Sequence, residues 1–208
     1  MVFPAAWWII ATSSPSGLHS QQSKRTMITT AELDAGEYAA FYANYVRQVP
    51  AGFNATTALR DSRNQLLDLL ERMPADKYDY AYAPGKWTVR QSLQHIIDTE
   101  RIFSTRLLRL GRGDATPQAG FEQDDYARAA GDCTEREWED MVEEFRLLRN
   151  ATLLLVNSIA PASAPNERRR VGTVSGSTMS YRALCFITAG HVYHHVSLYR
   201  ERYLGGSN

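Results

Sequence analysis

The sequence predicts an all-α protein, a four-helix bundle with a short leading helix, and two observations support this. Apolar residues recur at helical spacing along several long segments, and none shows the sustained alternation that a half-buried strand needs. Three capping boxes, in which Thr is followed three residues later by Glu or Gln, mark helix starts at 29–32, 88–91 and 134–137. Little or no sheet is therefore expected.

The first two helices are bounded by breaker residues. The leading helix, near 30–47, begins at the capping box 29–32 and ends before the proline and glycine of 50–52. The next helix, near 54–73, fills the interval between that break and Pro74. Neither proline nor glycine continues a helix well, so both ends are expected close to these positions.

The other three helices follow the same punctuation. A helix near 88–111 begins at its capping box, after the Pro-Gly turn at 84–85. A helix near 134–159 also begins at a capping box, and the proline- and glycine-containing segment 161–176 separates it from a last helix near 178–203.

Length and the first residues predict the domain organisation. Residues 27–208 are expected to form one domain and residues 1–26 an N-terminal extension, which combines an apolar run at 2–11 with a linker-like Ser-rich stretch. That run is about half of the roughly 20 residues that a membrane-spanning helix needs, so no membrane interaction is expected.

Charge and cysteine content narrow the function classes. Lys plus Arg and Asp plus Glu both total 23, so no overall basic character indicates a nucleic-acid partner. The two cysteines, Cys133 and Cys185, are far apart and fit a reducing cytoplasm better than a disulfide framework. No phosphate-binding or dinucleotide-binding glycine motif occurs.

Three histidines carry the strongest functional signal. His191 and His195 are spaced i, i+4, which places both imidazoles on one face of the last helix. His95, from another helix, could supply a third nitrogen ligand to the same metal ion. Three protein ligands leave an open coordination position, as in catalytic sites. His194 at i+3 could share a face with His191, but His195 fits the inward stripe better.

The apolar faces indicate that these histidines point into the bundle. His191 and His195 share a stripe with Leu184, Ile187 and Leu198, and His95 lies beside the predicted core stripe of its own helix. That second stripe comprises Val89, Leu93, Ile96, Phe103 and Leu107. Metal affinity is expected to fall as the pH drops through the ordinary histidine range near 6.5.

Residues spread from about 28 to 204 resemble the DinB-like/YfiT-like superfamily of metal-dependent helix bundles. The resemblance rests on Arg106 and on six motifs, which lie at 84–88, 95–101, 112–114, 121–126, 190–195 and 201–204. It implies a four-helix bundle and a divalent metal, zinc or nickel, on His95, His191 and His195. It also makes a homodimer a candidate assembly.

Two enzyme classes and one other class remain open from the sequence. The expected function is hydrolysis of a small substrate through a metal-activated water. Thiol-dependent transferases resemble this family too, so the alternative is a transferase that conjugates a low-molecular-weight thiol to an electrophile. A metal-binding, stress-associated module without enzymatic activity is the third class.

Four further features near the histidines carry smaller predictions. Asp98 could orient His95 or a metal-bound water, or simply pair with Arg101 or Arg106 on the helix surface. Glu100 follows the core stripe and needs an arginine partner if it is buried. Trp87 is expected as a core anchor rather than a substrate platform. Segment 121–126 lies in a long connection and is a candidate lid over the site.

Overall fold

The computed structural model describes residues 28–159 and 170–205. The predicted extension, residues 1–26, lies outside the described residues, so that boundary and the role of the extension stay predictions. Within the described part of the chain, no helix is both long enough and apolar enough to cross a membrane.

Four long helices form a bundle, joined by two short helices and one β-hairpin. In chain order the α-helices and strands are α1 (Ala43–Gln48), α2 (Ala55–Glu71), α3 (Val89–Gly111), α4 (Gln123–Ala130), α5 (Trp138–Ile159), β1 (Val171–Val174), β2 (Ser177–Ser180) and α6 (Tyr181–Leu198). A π-helical turn, Tyr199–Tyr203, continues α6 to the predicted end of the last helix. Helices α2 and α3 each pack against both α5 and α6, so they occupy opposite corners of the bundle. Helix α1 packs on α6, and α4 packs on α3. The predicted all-α bundle is confirmed.

Side-chain caps fix where three of the long helices begin. The Asn54 side chain accepts a hydrogen bond from the Thr57 backbone nitrogen (3.0 Å) at the start of α2. The predicted Thr88 capping box is present at the start of α3. At the start of α6, the Ser180 hydroxyl accepts from the Ala183 nitrogen (3.1 Å). Each cap satisfies a backbone donor that the first helical turn leaves free.

The core consists of two buried apolar clusters, one towards each end of the bundle. One contains Leu59, Phe103 and Ile187, among others, and the second contains Leu66 and Ile96. Of the predicted core residues, Leu198 is only partly buried, whereas the others are buried: Val89, Leu93, Ile96, Phe103, Leu107, Leu184 and Ile187.

A buried ion pair joins all four long helices between these clusters. Arg149 on α5 donates to both carboxylate oxygens of Glu100 on α3, at 2.8 and 2.7 Å. The same guanidinium donates to the Leu59 carbonyl and the Ser62 hydroxyl on α2 and to the Thr188 carbonyl on α6. The sequence-based expectation of an arginine partner for Glu100 is therefore confirmed.

The leading helix is not the continuous element that the sequence predicts over 30–47. Two single 3-10 turns, Thr30–Glu32 and Ala40–Tyr42, precede the short α1. The capping box at Thr29 forms, but it closes only the first of these turns. Glu37, between the turns, instead contacts β2 and α6, where Ser180 donates to it at 2.6 Å and Arg182 forms an ion pair with it. These tertiary contacts outweigh the local helical signal.

A β-hairpin replaces the expected loop and the first residues of the last predicted helix. Strands β1 and β2 pair antiparallel, with Val171 opposite Ser180 and Val174 opposite Ser177. Ser175 and Gly176 form the two-residue turn, both with positive φ (51° and 74°), as the tight turns of right-twisted hairpins require. Four-residue strands are too short to show a sustained alternation in the sequence.

Two other boundaries differ from the sequence-based prediction. Helix α5 begins at Trp138 rather than near 134, because Thr134 binds the Asp132 carboxylate through its backbone nitrogen (3.0 Å) and hydroxyl (2.8 Å). The preceding Cys133 has φ of 60°, which belongs to a turn. Helix α4, from Gln123, lies within the segment that was expected to be a loop.

Candidate metal centre

Three imidazoles from two helices meet inside the bundle. His95 comes from α3, and His191 and His195 are one turn apart on α6. The His191 Nε2 atom lies 3.1 Å from His95 Nε2 and 3.2 Å from His195 Nε2. One nitrogen from each ring lies within 4.8 Å of the other two. The structure therefore brings together the three residues that the sequence selected.

This spacing fits a common metal ion. In a tetrahedral site with nitrogens about 2.0–2.1 Å from zinc, the nitrogens lie roughly 3.3 Å from one another. Among the residues that the structure describes, no cysteine or carboxylate joins these histidines as a further candidate ligand. The donor set therefore suits a divalent metal bound by three neutral nitrogens with a coordination position left over.

Burial keeps the three rings neutral. His95, His191 and His195 are only 7%, 4% and 5% exposed. Burial lowers the pKa of His95 to about 4, and burial together with the neighbouring imidazoles lowers the pKa values of His191 and His195 well below the usual range. Neutral imidazole is the form that binds metal. Protons are therefore expected to compete with a metal at a lower pH than the 6.5 predicted from the sequence.

Neighbouring side chains fix the orientation of the rings. The Ser92 hydroxyl lies 3.4 Å from Nδ1 of His195, the nitrogen that faces away from the cluster. The rings of Tyr45 and Phe103 contact His191 edge to face, with centroids 5.4 and 5.9 Å away. Such contacts hold potential ligands in place before any metal binds.

Comparison with known proteins identifies the family. Residues 58–198, about two thirds of the chain, match the sequence model of the DinB superfamily. The chain belongs to the DinB superfamily. A solved structure of YfiT from Bacillus subtilis, described as "a probable metal-dependent hydrolase with an unusual four-helix bundle topology", has a similar fold. It aligns with a TM-score of 0.61 and 18% identity over 74% of this chain and 87% of that one. No curated protein matches the chain.

His194 lies outside the histidine cluster of this DinB-superfamily protein. Its side chain is partly buried, and its ring contacts Tyr45, with centroids 5.6 Å apart. The structure thus favours His195 over His194, as the helical stripe did.

Asp98 does not hold the His95 ring. Its carboxylate accepts a hydrogen bond from the Gln94 side chain (2.9 Å) and lies 4.0 Å from Arg101, so the predicted ion pair is present but long. No hydrogen bond joins Asp98 to His95 in the described structure. Both residues line the same crevice, and burial raises the pKa of Asp98. A role for Asp98 towards a bound water stays a prediction.

Helix α4 covers the approach to His95. A crevice of about 10 Å³, room for about one water molecule, lies beside His95 and is also lined by Tyr126, Ala130 and Cys133. No residue of α4 is buried, and glycines at 120 and 131 flank the helix. The predicted lid segment, 121–126, therefore does lie next to the site, although part of it is helical.

Sequence reasoning missed two contacts of the cluster and interpreted a third incompletely. Tyr45 reaches His191 because α1 approaches Gly190 so closely that a Cβ atom there would overlap the Tyr45 carbonyl oxygen. Cys133, far away in sequence, lines the crevice. Trp87, expected as a core anchor, is half-buried, with its ring centroid 4.9 Å from that of His95. A glycine directly before a candidate ligand is the one signal that could have indicated the approach of α1.

Proposed function

We propose that this protein is a metal-dependent hydrolase that acts on a small molecule, with His95, His191 and His195 as the metal ligands. The observation that carries the proposal is the convergence of three buried, neutral imidazole nitrogens with no fourth candidate ligand among the described residues. Structural metal sites are usually closed by four protein ligands, whereas catalytic sites keep a position for water or substrate. Zinc and nickel both suit three imidazoles.

A divalent metal held by His95, His191 and His195 would supply a Lewis acid and would lower the pKa of a water molecule in the site towards 7. The chain's own residues do the rest. Ser92 and the aromatic rings fix the imidazoles, and the crevice beside His95 has room for about one water molecule. Asp98 is the carboxylate that lines this crevice, and we propose that it positions the attacking water.

The test is hydrolysis by the purified full chain loaded with Zn²⁺ or Ni²⁺, assayed against a panel of small esters and amides. Activity should disappear with a chelator and with His191→Ala, and it should return when metal is restored to the unmodified chain. His194→Ala is the matched control, because it removes an imidazole from the same helix but not from the cluster.

The same panel separates the alternative function. A metal-loaded chain that leaves every ester and amide intact, but conjugates a small thiol to an electrophile, would contradict the hydrolase proposal in favour of a transferase. A chain that retains metal and catalyses neither reaction would indicate a metal-binding module.

A further inference from the structure

A second, larger opening lies next to the crevice at His95, and Tyr126 lines both. This feature, the arginine cleft, has a volume of about 360 Å³, within the range of small-molecule sites. It lies between α3, the segment 118–121 and Tyr126 of α4. Three of its lining residues are arginines: Arg101, Arg106 and Arg109.

Arg106 differs from the other two arginines because it has no acidic partner. Arg101 pairs with Glu144, and Arg109 pairs with Asp114. No carboxylate of the described residues lies within 4.0 Å of the Arg106 guanidinium, although this residue is only 4% exposed. A buried cation without a counter-ion is costly, so its retention calls for an explanation.

The acceptors that Arg106 does contact are neutral. Its Nη2 atom donates to the Ala119 carbonyl at 2.7 Å and to the Ser175 hydroxyl at 3.4 Å. Ser175 belongs to the hairpin turn, so the hairpin holds the guanidinium in position. The Tyr42 side chain also interacts with the guanidinium, and the rings of Phe103 and Phe121 lie 5.9 and 5.6 Å from its carbon as cation–π partners. These neutral groups orient and partly stabilise the cation, but none of them is a carboxylate counter-ion.

A donor without a hydrogen-bond partner in the described structure belongs to another residue that lines this cleft, Gln118. Gln118 is 6% exposed, and its side-chain nitrogen has no hydrogen-bond partner in the described structure. Its backbone is fixed, because its nitrogen donates to the Thr173 carbonyl (2.9 Å) and its carbonyl accepts from the Ser175 nitrogen (2.9 Å). Buried polar groups without partners are rare and indicate a missing ligand or water.

We propose that Arg106 and Gln118 bind the anionic group, a carboxylate or a phosphate, of the small molecule that reacts at the histidine cluster. Guanidinium and amide donors match the oxygens of both groups. This inference rests on the proposed function, because it names the substrate class of that same site.

The position of the cleft places a ligand bound there close to the histidine cluster. The Phe103 ring lies 5.9 Å from the His191 ring and 5.9 Å from the Arg106 guanidinium carbon, so these two groups are at most about 12 Å apart. An extended molecule of about three to four residue lengths, at roughly 3.3–3.6 Å each, covers that distance. Tyr126 lines both the crevice at His95 and the cleft, so the two openings are adjacent.

One face of α3 runs from the histidine cluster to the cleft. His95, Thr99, Ile102 and Arg106 are spaced i, i+4, i+7 and i+11, which places them on one face of α3. The Thr99 hydroxyl is buried and has no hydrogen-bond partner in the described structure. Thr99 lines neither the crevice nor the cleft, so it is not part of the proposed ligand site.

The test compares anion binding by the full chain, purified without metal, with that of three variants. The thermal midpoint of each protein is measured as a function of the concentration of sodium butyrate or sodium phosphate, with sodium chloride keeping the ionic strength constant. Sodium chloride alone and butyramide, the uncharged analogue of butyrate, serve as reference compounds. Gln118→Glu should weaken binding on the order of tenfold or more, because it adds a negative charge to the cleft that Arg106 lines, and this charge repels an anion. Arg106→Lys should also weaken it, since lysine lacks the planar fork. Arg109→Gln is the matched control and should bind like the unmodified chain.

The proposal is supported if butyrate or phosphate raises the thermal midpoint more than chloride and butyramide do. This extra stabilisation should be lost in Gln118→Glu and retained in Arg109→Gln. The stronger of the two anions identifies the substrate group. With the metal-loaded chain, KM for an ester that carries that group should rise by the same factor in Gln118→Glu, while KM for a neutral ester stays constant.

Anion binding that is absent, or unchanged in both Gln118→Glu and Arg106→Lys, would overturn the proposal. The two proposals fail separately. A chain that retains metal but binds no anion contradicts only the anion site, and one that binds anions but no metal contradicts only the hydrolase function.

Discussion

Replacing Glu100 by Gln should destabilise the bundle strongly, because it leaves the buried Arg149 cation unpaired. The two side chains are 2% and 0% exposed, and both Glu100 oxygens accept from Arg149 at 2.7–2.8 Å. One oxygen also accepts from the Thr152 hydroxyl at 2.7 Å. Breaking a buried pair costs about 3–5 kcal/mol. In a chain of this size, a thermal midpoint shifts about 2–4 °C per kcal/mol, so a decrease of roughly 6–20 °C is expected.

Urea unfolding followed by circular dichroism measures this loss, and an unchanged m-value shows that stability alone has changed. Asp68→Asn is the control. It breaks a pair with Arg72 in which both side chains are more than half exposed, and it should cost about 0–1 kcal/mol. If Glu100→Gln lowered the free energy of unfolding by no more than this control does, the buried ion pair would not stabilise the packing of the four long helices.

Three further predictions concern the surroundings of the metal centre. Gly190→Ala should lower the free energy of unfolding in urea by about 1–3 kcal/mol, because the added methyl group would overlap the Tyr45 backbone. Gly36→Ala is the control and should cause no such loss, since no heavy atom beyond the adjoining residues lies within 4 Å of the methyl group that it adds. Ser92→Ala should weaken metal affinity about 10–100-fold in a competitive chelator titration, and retention of full affinity would contradict its role in holding His195. The metal-free chain should lose stability as the pH falls from about 6.5 towards about 4, because the histidines of the unfolded chain become protonated at a higher pH than the buried ones. For His95, whose pKa is about 4, this loss in the free energy of unfolding is roughly 3 kcal/mol. Urea unfolding at several pH values measures it, and a flat profile would refute the lowered pKa.

Local patterns were sufficient to predict the long helices and the histidine cluster. Helix α3 begins at the Thr88 capping box that the sequence shows, and the i, i+4 spacing placed His191 and His195 on one inward face. Both signals depend on residues a few positions apart. The choice of His95 as their partner was supported by its position beside the core stripe and by the family resemblance.

Features that depend on distant contacts could not be predicted. The leading segment breaks into turns because Glu37 binds residues more than 140 positions away. The hairpin forms strands too short for a periodic pattern, and the pairing of Gln118 with Thr173 depends on that hairpin. The arginine cleft was missed for the same reason. The sequence singled out Arg106 through the family resemblance and as a possible surface partner of Asp98, whereas the structure buries it against the hairpin turn.

Metal content after purification tests the central claim most directly. The full chain, purified without added metal and then equilibrated with Zn²⁺ or Ni²⁺ and desalted, is measured by elemental analysis beside the variants His95→Ala, His195→Ala and His194→Ala. The three-histidine centre predicts one tightly held divalent ion per chain in the unmodified protein and in His194→Ala, and none in His95→Ala or His195→Ala. Full metal content in His195→Ala together with its loss in His194→Ala would contradict this ligand set, and an unmodified chain that retains no metal would contradict the metal centre itself.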